Sequence, residues 1–155
     1  MKRLFYFIFM FCVGAFLYMI VECSFRGYTF WQMGVLGGTV FLIGSLLNNK
    51  FSWKLDLLLQ CGIIALMTTT LEAIVGNIDY YFLHIGMWDY SSLPYNFFNG
   101  KICLAFSTIW YFFGFIIVFL GDAIDYYILR TEDIQPEYWI LGTLIFRFPK
   151  RRELC

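Results

Sequence analysis

LFYFIFMFCVGAFLYMIVEC, residues 4–23, carries a single charge, Glu22, near its end. A helix rises about 1.5 Å per residue, so such a stretch reaches about 30 Å, the thickness of a bilayer's hydrocarbon layer. The rest of the chain reads the same way: of its 155 residues 61% are hydrophobic, 23% aromatic and 14% charged. Soluble domains are about half apolar and about a quarter charged, and a chain this short could not hide the excess in a core. Three further apolar stretches, residues 30–47, 57–75 and 102–121, are candidates to span lipid. Without water to satisfy the backbone, each must be helical. The sequence therefore predicts an all-α integral membrane protein with four transmembrane helices in residues 1–124. Residues 125–155 are expected to form a cytoplasmic interfacial tail.

Lys2 and Arg3 precede the first stretch, but its apolar run is too long for a cleavable signal and no small-x-small site follows, so a retained anchor is expected. The cations set the orientation. With both termini cytoplasmic, Lys2, Arg3, Lys50, Lys54, Arg130, Arg147, Lys150, Arg151 and Arg152 lie inside, and only Arg26 and Lys101 outside. The positive-inside bias selects that arrangement and places WDYSSLPYN, residues 88–96, on the extracytoplasmic side. Trp31 and Trp88 are expected at the outer headgroups and Trp53 and Trp139 at the inner ones. Trp110 falls near the midplane, where its indole N–H needs a partner.

Net charge is zero, with no field to draw nucleic acid. Five scattered cysteines, Cys12, Cys23, Cys61, Cys103 and Cys155, and one histidine give no metal-ligand spacing, so neither a metal nor a cofactor is expected. In the second stretch Gly34, Gly37, Gly38 and Gly44 let another helix approach closely, inside the bundle or across a dimer seam. The segment YWILGTLIF, residues 138–146, is too short to span as a helix and reads as an inner-surface element before a basic end that suits anionic lipid.

Charges inside apolar stretches must face the protein interior, pair, or line a polar path. Arg26 follows Glu22 by one helical turn, and Glu72 lies about 23 Å along the third stretch, at the depth of Glu22. Glu22, Arg26 and Glu72 are either helix-to-helix fasteners or a ligand or proton site. In the following loop Asp89 and Ser91 suit turns and Pro94 keeps Leu93 out of the helical region, so the loop can fold over the helix ends as a lid. That layer would hold Glu22, Arg26, Glu72, Trp88, Asp89, Tyr90, Ser91, Asn96 and Lys101. Spans one and three, each with a glutamate near its outer end and each followed by a glycine-bearing helix, hint at two duplicated hairpins.

E-x-x-x-G at Glu72 to Gly76, MWDYSSLPYNFFNGKICLAFSTIW at residues 87–110, and more loosely ECSFRG and LGGTVFLIGSLLN, resemble the CmpB family. These are small bacterial membrane proteins named for type IV ABC-transporter permeases. The resemblance implies a bacterial plasma-membrane protein, with Glu22, Arg26, Glu72, Trp88, Asp89, Tyr90, Ser91, Pro94, Asn96 and Gly100 at motif positions. It implies no particular solute.

The leading expectation is a permease-like protein that binds or gates a small polar solute at the Glu/Arg/Asp layer. No G-x-x-x-x-G-K-[ST] loop is present, so active transport would require a separate ATPase. Four spans make a narrow bundle, which points to a homodimer or a larger membrane complex, with membrane lipids as the other partner. The alternative is a non-transporting accessory, sensor or scaffold subunit that docks through WDYSSLPYN. An enzyme is not expected, because His84, Asp89 and Ser91 crowd one loop too closely for triad geometry.

Overall fold

The computed structural model describes residues 2–51, 54–130 and 134–151. The expectations placed on Trp53, Arg152 and Cys155 fall outside the described residues.

Among the described residues five α-helices run in order: α1 (Lys2–Arg26), α2 (Trp31–Ser45), α3 (Leu47–Lys50), α4 (Leu57–Ile78) and α5 (Leu104–Ala123). Two small antiparallel hairpins complete the fold, β1 (Asn96–Phe97) with β2 (Ile102–Cys103) and β3 (Glu137–Ile140) with β4 (Thr143–Arg147). Among the described residues three helical stretches are long and apolar enough to cross a membrane: Arg3–Arg26, Leu57–Leu83 and Leu104–Leu129. The fourth expected span differs. α2 holds 15 residues, about 22 Å at 1.5 Å per residue, and a turn at Leu46 separates it from the four residues of α3.

The all-α expectation also gives way at the C-terminal segment. YWILGTLIF alternates around a Leu141–Gly142 turn in which both residues have positive φ, the geometry that joins two strands with the right twist. The hairpin packs against the bundle. Tyr138 is fully buried and donates to Asp122 Oδ2 at 2.9 Å, while Asn48 Nδ2 donates to the same oxygen at 2.6 Å. Burial, and then the neighbouring Asp122 carboxylate, raise the Tyr138 phenol well above its ordinary pKa. On the far side of the hairpin, Leu141 N–H donates to Asp56 Oδ2 at 2.6 Å, and Asp56 Oδ1 caps α4 by accepting from Leu58 and Leu59.

α1 packs chiefly on α2, and α5 on α4 and α2, so α2 is the central helix. Its glycines explain the closeness. A Cβ on Gly37 would lie 2.3 Å from Tyr18 Cβ, one on Gly38 2.7 Å from the Phe11 carbonyl, and one on Gly34 2.8 Å from Met19 Sδ, all on α1. Gly44 instead faces α5, 2.5 Å from Ile117 Cγ2. These glycines are spent within one chain.

The sequence Ile-Asp-Tyr-Tyr occurs twice, at residues 78–81 and 124–127. At each place the helix widens into one π-helical turn, Asp79–Leu83 and Ile124–Leu129, and closes on a left-handed residue, His84 (φ 54°) and Arg130 (φ 53°). In both, the N–H of that last residue bonds the carbonyl of the aspartate, whose side chain is buried. α4 and α5 run in opposite directions, so the motif stands at both ends of the bundle. Each time a hairpin follows.

Candidate functional site

The segment after α4 folds into a cap over the end of the bundle, and the first Ile-Asp-Tyr-Tyr turn is its foundation. Asp79 Oδ1 accepts the N–H of Ile85 (2.8 Å) and Gly86 (3.2 Å), and Oδ2 accepts that of Met87 (2.9 Å). Lys101 Nζ lies 3.8 Å from the same carboxylate. From there Lys101 and Trp88 clasp each other: Lys101 Nζ donates to the Trp88 carbonyl and Trp88 Nε1 to the Lys101 carbonyl, both at 2.8 Å. Gly76 makes the clasp possible, since a Cβ there would meet Lys101 Cβ at 2.7 Å and Trp88 Cζ2 at 3.0 Å.

The second anchor comes from α1. Arg26 pairs with Glu22 one turn earlier and donates from Nη1 to the Met87 carbonyl at 2.6 Å. Tyr18 and Thr29 hydroxyls donate to Glu22 at 3.3 and 3.4 Å, so this carboxylate is well supplied. Asp89, Ser91 and Asn96 are brought to the cap but not to the carboxylates. Asp89 Oδ1 accepts Ser91 N–H at 2.8 Å, which holds its carboxyl below the usual range, and Asn96 Nδ2 donates to the Ser91 and Leu93 carbonyls. They shape the loop and stay largely exposed.

Glu72 is the exception to this tidy satisfaction. It is 1% exposed, and neither carboxyl oxygen has a hydrogen-bond partner. Buried polar groups are nearly always paired, and an orphan calls for strain, a functional role or a bound water or ion to account for it. Its neighbours are Trp110, whose indole N–H lies beside it outside hydrogen-bond geometry and is itself unpaired, and Glu22, Tyr18 and Tyr90 within electrostatic reach. In the cap, burial and the nearby Glu72 raise the Tyr90 phenol above its ordinary pKa. Tyr90 stacks on Phe106 with ring centroids 4.4 Å apart.

Of the residues singled out from sequence, Glu22, Arg26, Glu72 and Tyr90 converge, and Trp88 and Lys101 close the cap above α4. The Trp88 ring is buried within the cap, with its indole N–H committed to the Lys101 carbonyl. His84 closes the π-helical turn after α4, and Asp89 and Ser91 are joined in the following loop by the Ser91 N–H bond. Asp79 and Tyr18 join these residues, and their signals in the sequence are the doubled Ile-Asp-Tyr-Tyr and the four-residue spacing of Tyr18 and Glu22.

Long apolar helices, with a carboxyl group enclosed beneath a cap of loop and hairpin, define a polytopic membrane protein. The family model described as "Putative ABC-transporter type IV", ABC_trans_CmpB, matches residues 5–148, and the chain belongs to this family. No curated protein and no solved structure matches the chain.

Proposed function

We propose that the chain is the membrane-embedded part of a transport system, crossing the bilayer four times with α2 and α3 together as the second crossing. In this reading both termini face the cytoplasm and the cap faces outward, as the cation distribution favours. Glu72 is the group that a small polar or cationic solute, or a proton, engages when the cap opens. The observation that carries this reading is the orphaned Glu72 carboxyl, since a side chain kept buried without partners inside apolar helices is costly unless something binds it. The family's description adds the ABC-transporter context, and a separate ATPase would supply the energy. No catalytic role is assigned to the chain.

The accessory-subunit reading draws on a different observation. Tyr95, Phe97 and Phe98 on the cap are 72%, 57% and 62% exposed, an aromatic surface suited to a protein partner.

One purification separates the two. Mild-detergent extraction and mass spectrometry identify what stays bound, and reconstitution into liposomes, with any retained ATPase, measures flux of the retained solute. Transport predicts flux that Glu72→Gln abolishes without changing membrane insertion. A stoichiometric protein partner with no flux supports the accessory reading, and wild-type flux in Glu72→Gln reduces Glu72 to packing.

A further inference from the structure

The gap between α1 and α5 is an apolar cleft of about 250 Å³. Its floor is α2, at Gly37 and Phe41, and its mouth is flanked by Leu17, Val21 and Ile116, which are 37%, 40% and 56% exposed on the helix surfaces. In a bilayer such a mouth opens sideways into acyl chains. Among the described residues no charged side chain lines the cleft, and the polar members of its wall are Tyr18, whose hydroxyl is committed to Glu22, and Trp110. Trp110 is 7% exposed, and its indole N–H has no hydrogen-bond partner. The rings of Tyr18 and Phe113 flank that of Trp110, with centroids 5.5 and 5.8 Å away. The wall is therefore aromatic, uncharged and short of one hydrogen-bond acceptor.

We propose that this cleft binds a neutral, planar carbonyl compound of the quinone class drawn laterally from the membrane, with its ring against Tyr18, Trp110 and Phe113 and a carbonyl oxygen accepting the Trp110 N–H. A buried donor left unpaired is destabilising, and a carbonyl supplies the acceptor that it lacks. Water is a poor substitute, because a buried water needs about two to four polar partners and this wall offers a single free group. Aromatic side chains pack well on a flat π-system. An apolar cavity of about 150 Å³ holds benzene, so this larger cleft admits a substituted ring. A phospholipid does not meet the same need. Trp110 follows Leu104, the first residue of α5, by six positions, which sets it about 9 Å below the helix start and beneath the interfacial layer of ester carbonyls. A charged head group would find no partner in the wall. The site is separate from Glu72, so it adds a second ligand to the one proposed there.

Duroquinone and durene are the probes: they share a methylated ring and differ in the carbonyls, and the fully substituted quinone does not add to the exposed thiols of Cys12 and Cys23. Both are titrated calorimetrically against the full chain in nanodiscs, with empty nanodiscs subtracted. The quinone is expected to bind about tenfold more tightly than the hydrocarbon, the effect of one ordinary hydrogen bond. Trp110→Phe, which keeps an aromatic ring and removes the N–H, should erase that preference while still binding durene. Leu17→Trp, a lipid-facing change that narrows the mouth, should weaken binding of both. If Trp110→Phe fails to fold, the wild-type preference and its response to Leu17→Trp still decide. Equal binding of the two probes by the wild-type chain, a preference that survives in Trp110→Phe, or binding untouched by Leu17→Trp overturns the proposal. A phospholipid that co-purifies in the cleft and resists displacement by duroquinone overturns it as well.

Discussion

Glu22 and Glu72 lie in the same layer of the bundle and have opposite fates. Glu22 has Arg26, Tyr18 and Thr29, and its residual exposure lets water finish the job. Glu72 has a buried oxygen pair and an indole N–H that falls short of it. Sequence could place both at one depth but could not tell them apart, because helical rotation and the neighbour across the gap decide which is paired. Trp110 was legible as a mid-span indole in need of a partner; that its neighbour is Glu72 depends on how α4 and α5 pack. Lys101 shows the same limit, since its position before span four fixes its depth but not its clasp with Trp88 and Asp79. Removing one member of a buried ion pair strands the other, at about 3–5 kcal/mol. Lys101→Met should therefore release the cap, read as faster hydrogen exchange at Ile85, Gly86 and Met87 while α4 remains protected.

At the scale of elements, helices were readable because lipid allows so few alternatives, and hairpins were not. Nine apolar residues between polar flanks looked like an interfacial segment, and only the Leu141–Gly142 turn and the fit of Tyr138 into the core make them strands. Hydropathy reads residues 30–47 as one continuous stretch because it does not register the turn at Leu46, which divides it into α2 and α3. The glycines of α2, by contrast, said directly that a helix backbone comes close, leaving open only which helix. Gly37→Ala must push against Tyr18 Cβ, and overpacking of this kind costs about 1–3 kcal/mol. The variant should unfold at lower temperature in detergent, and more so than Gly62→Ala, where the nearest group is 4.0 Å away. The C-terminal hairpin has its own test in Asp56. Hydrogen bonds from Leu141 first, and from Leu58 and Leu59, lower its pKa. A carboxyl with a depressed pKa stabilises the fold above its unfolded value of about 4 and loses that contribution as pH falls through the folded value. Protease cleavage in the hairpin should rise only below about pH 4, whereas Asp56→Asn should be cleaved readily at neutral pH.

For the whole molecule, the doubled Ile-Asp-Tyr-Tyr shows a helix, a π-helical turn and a hairpin used twice in opposite directions, closing both ends of the bundle. The duplication hinted at by Glu22 and Glu72 relates different segments, the α1–α2 and α4–α5 pairs. At one end the motif's Asp79 gathers a cap around Lys101; at the other its Asp125 accepts from the Tyr6 hydroxyl, and Asp122, three residues earlier, gathers Asn48 and Tyr138 beneath β3 and β4. Between them Glu72 is enclosed by apolar helices and the cap, 1% exposed. Carbodiimide labelling reads that enclosure without knowledge of any solute. In nanodiscs, lipid-soluble dicyclohexylcarbodiimide should modify Glu72, seen by mass spectrometry of the digested chain, while a water-soluble carbodiimide should not do so until Lys101→Met opens the cap. Labelling of wild-type Glu72 by the water-soluble reagent as fast as exposed Asp89 would contradict a carboxyl sealed beneath a cap.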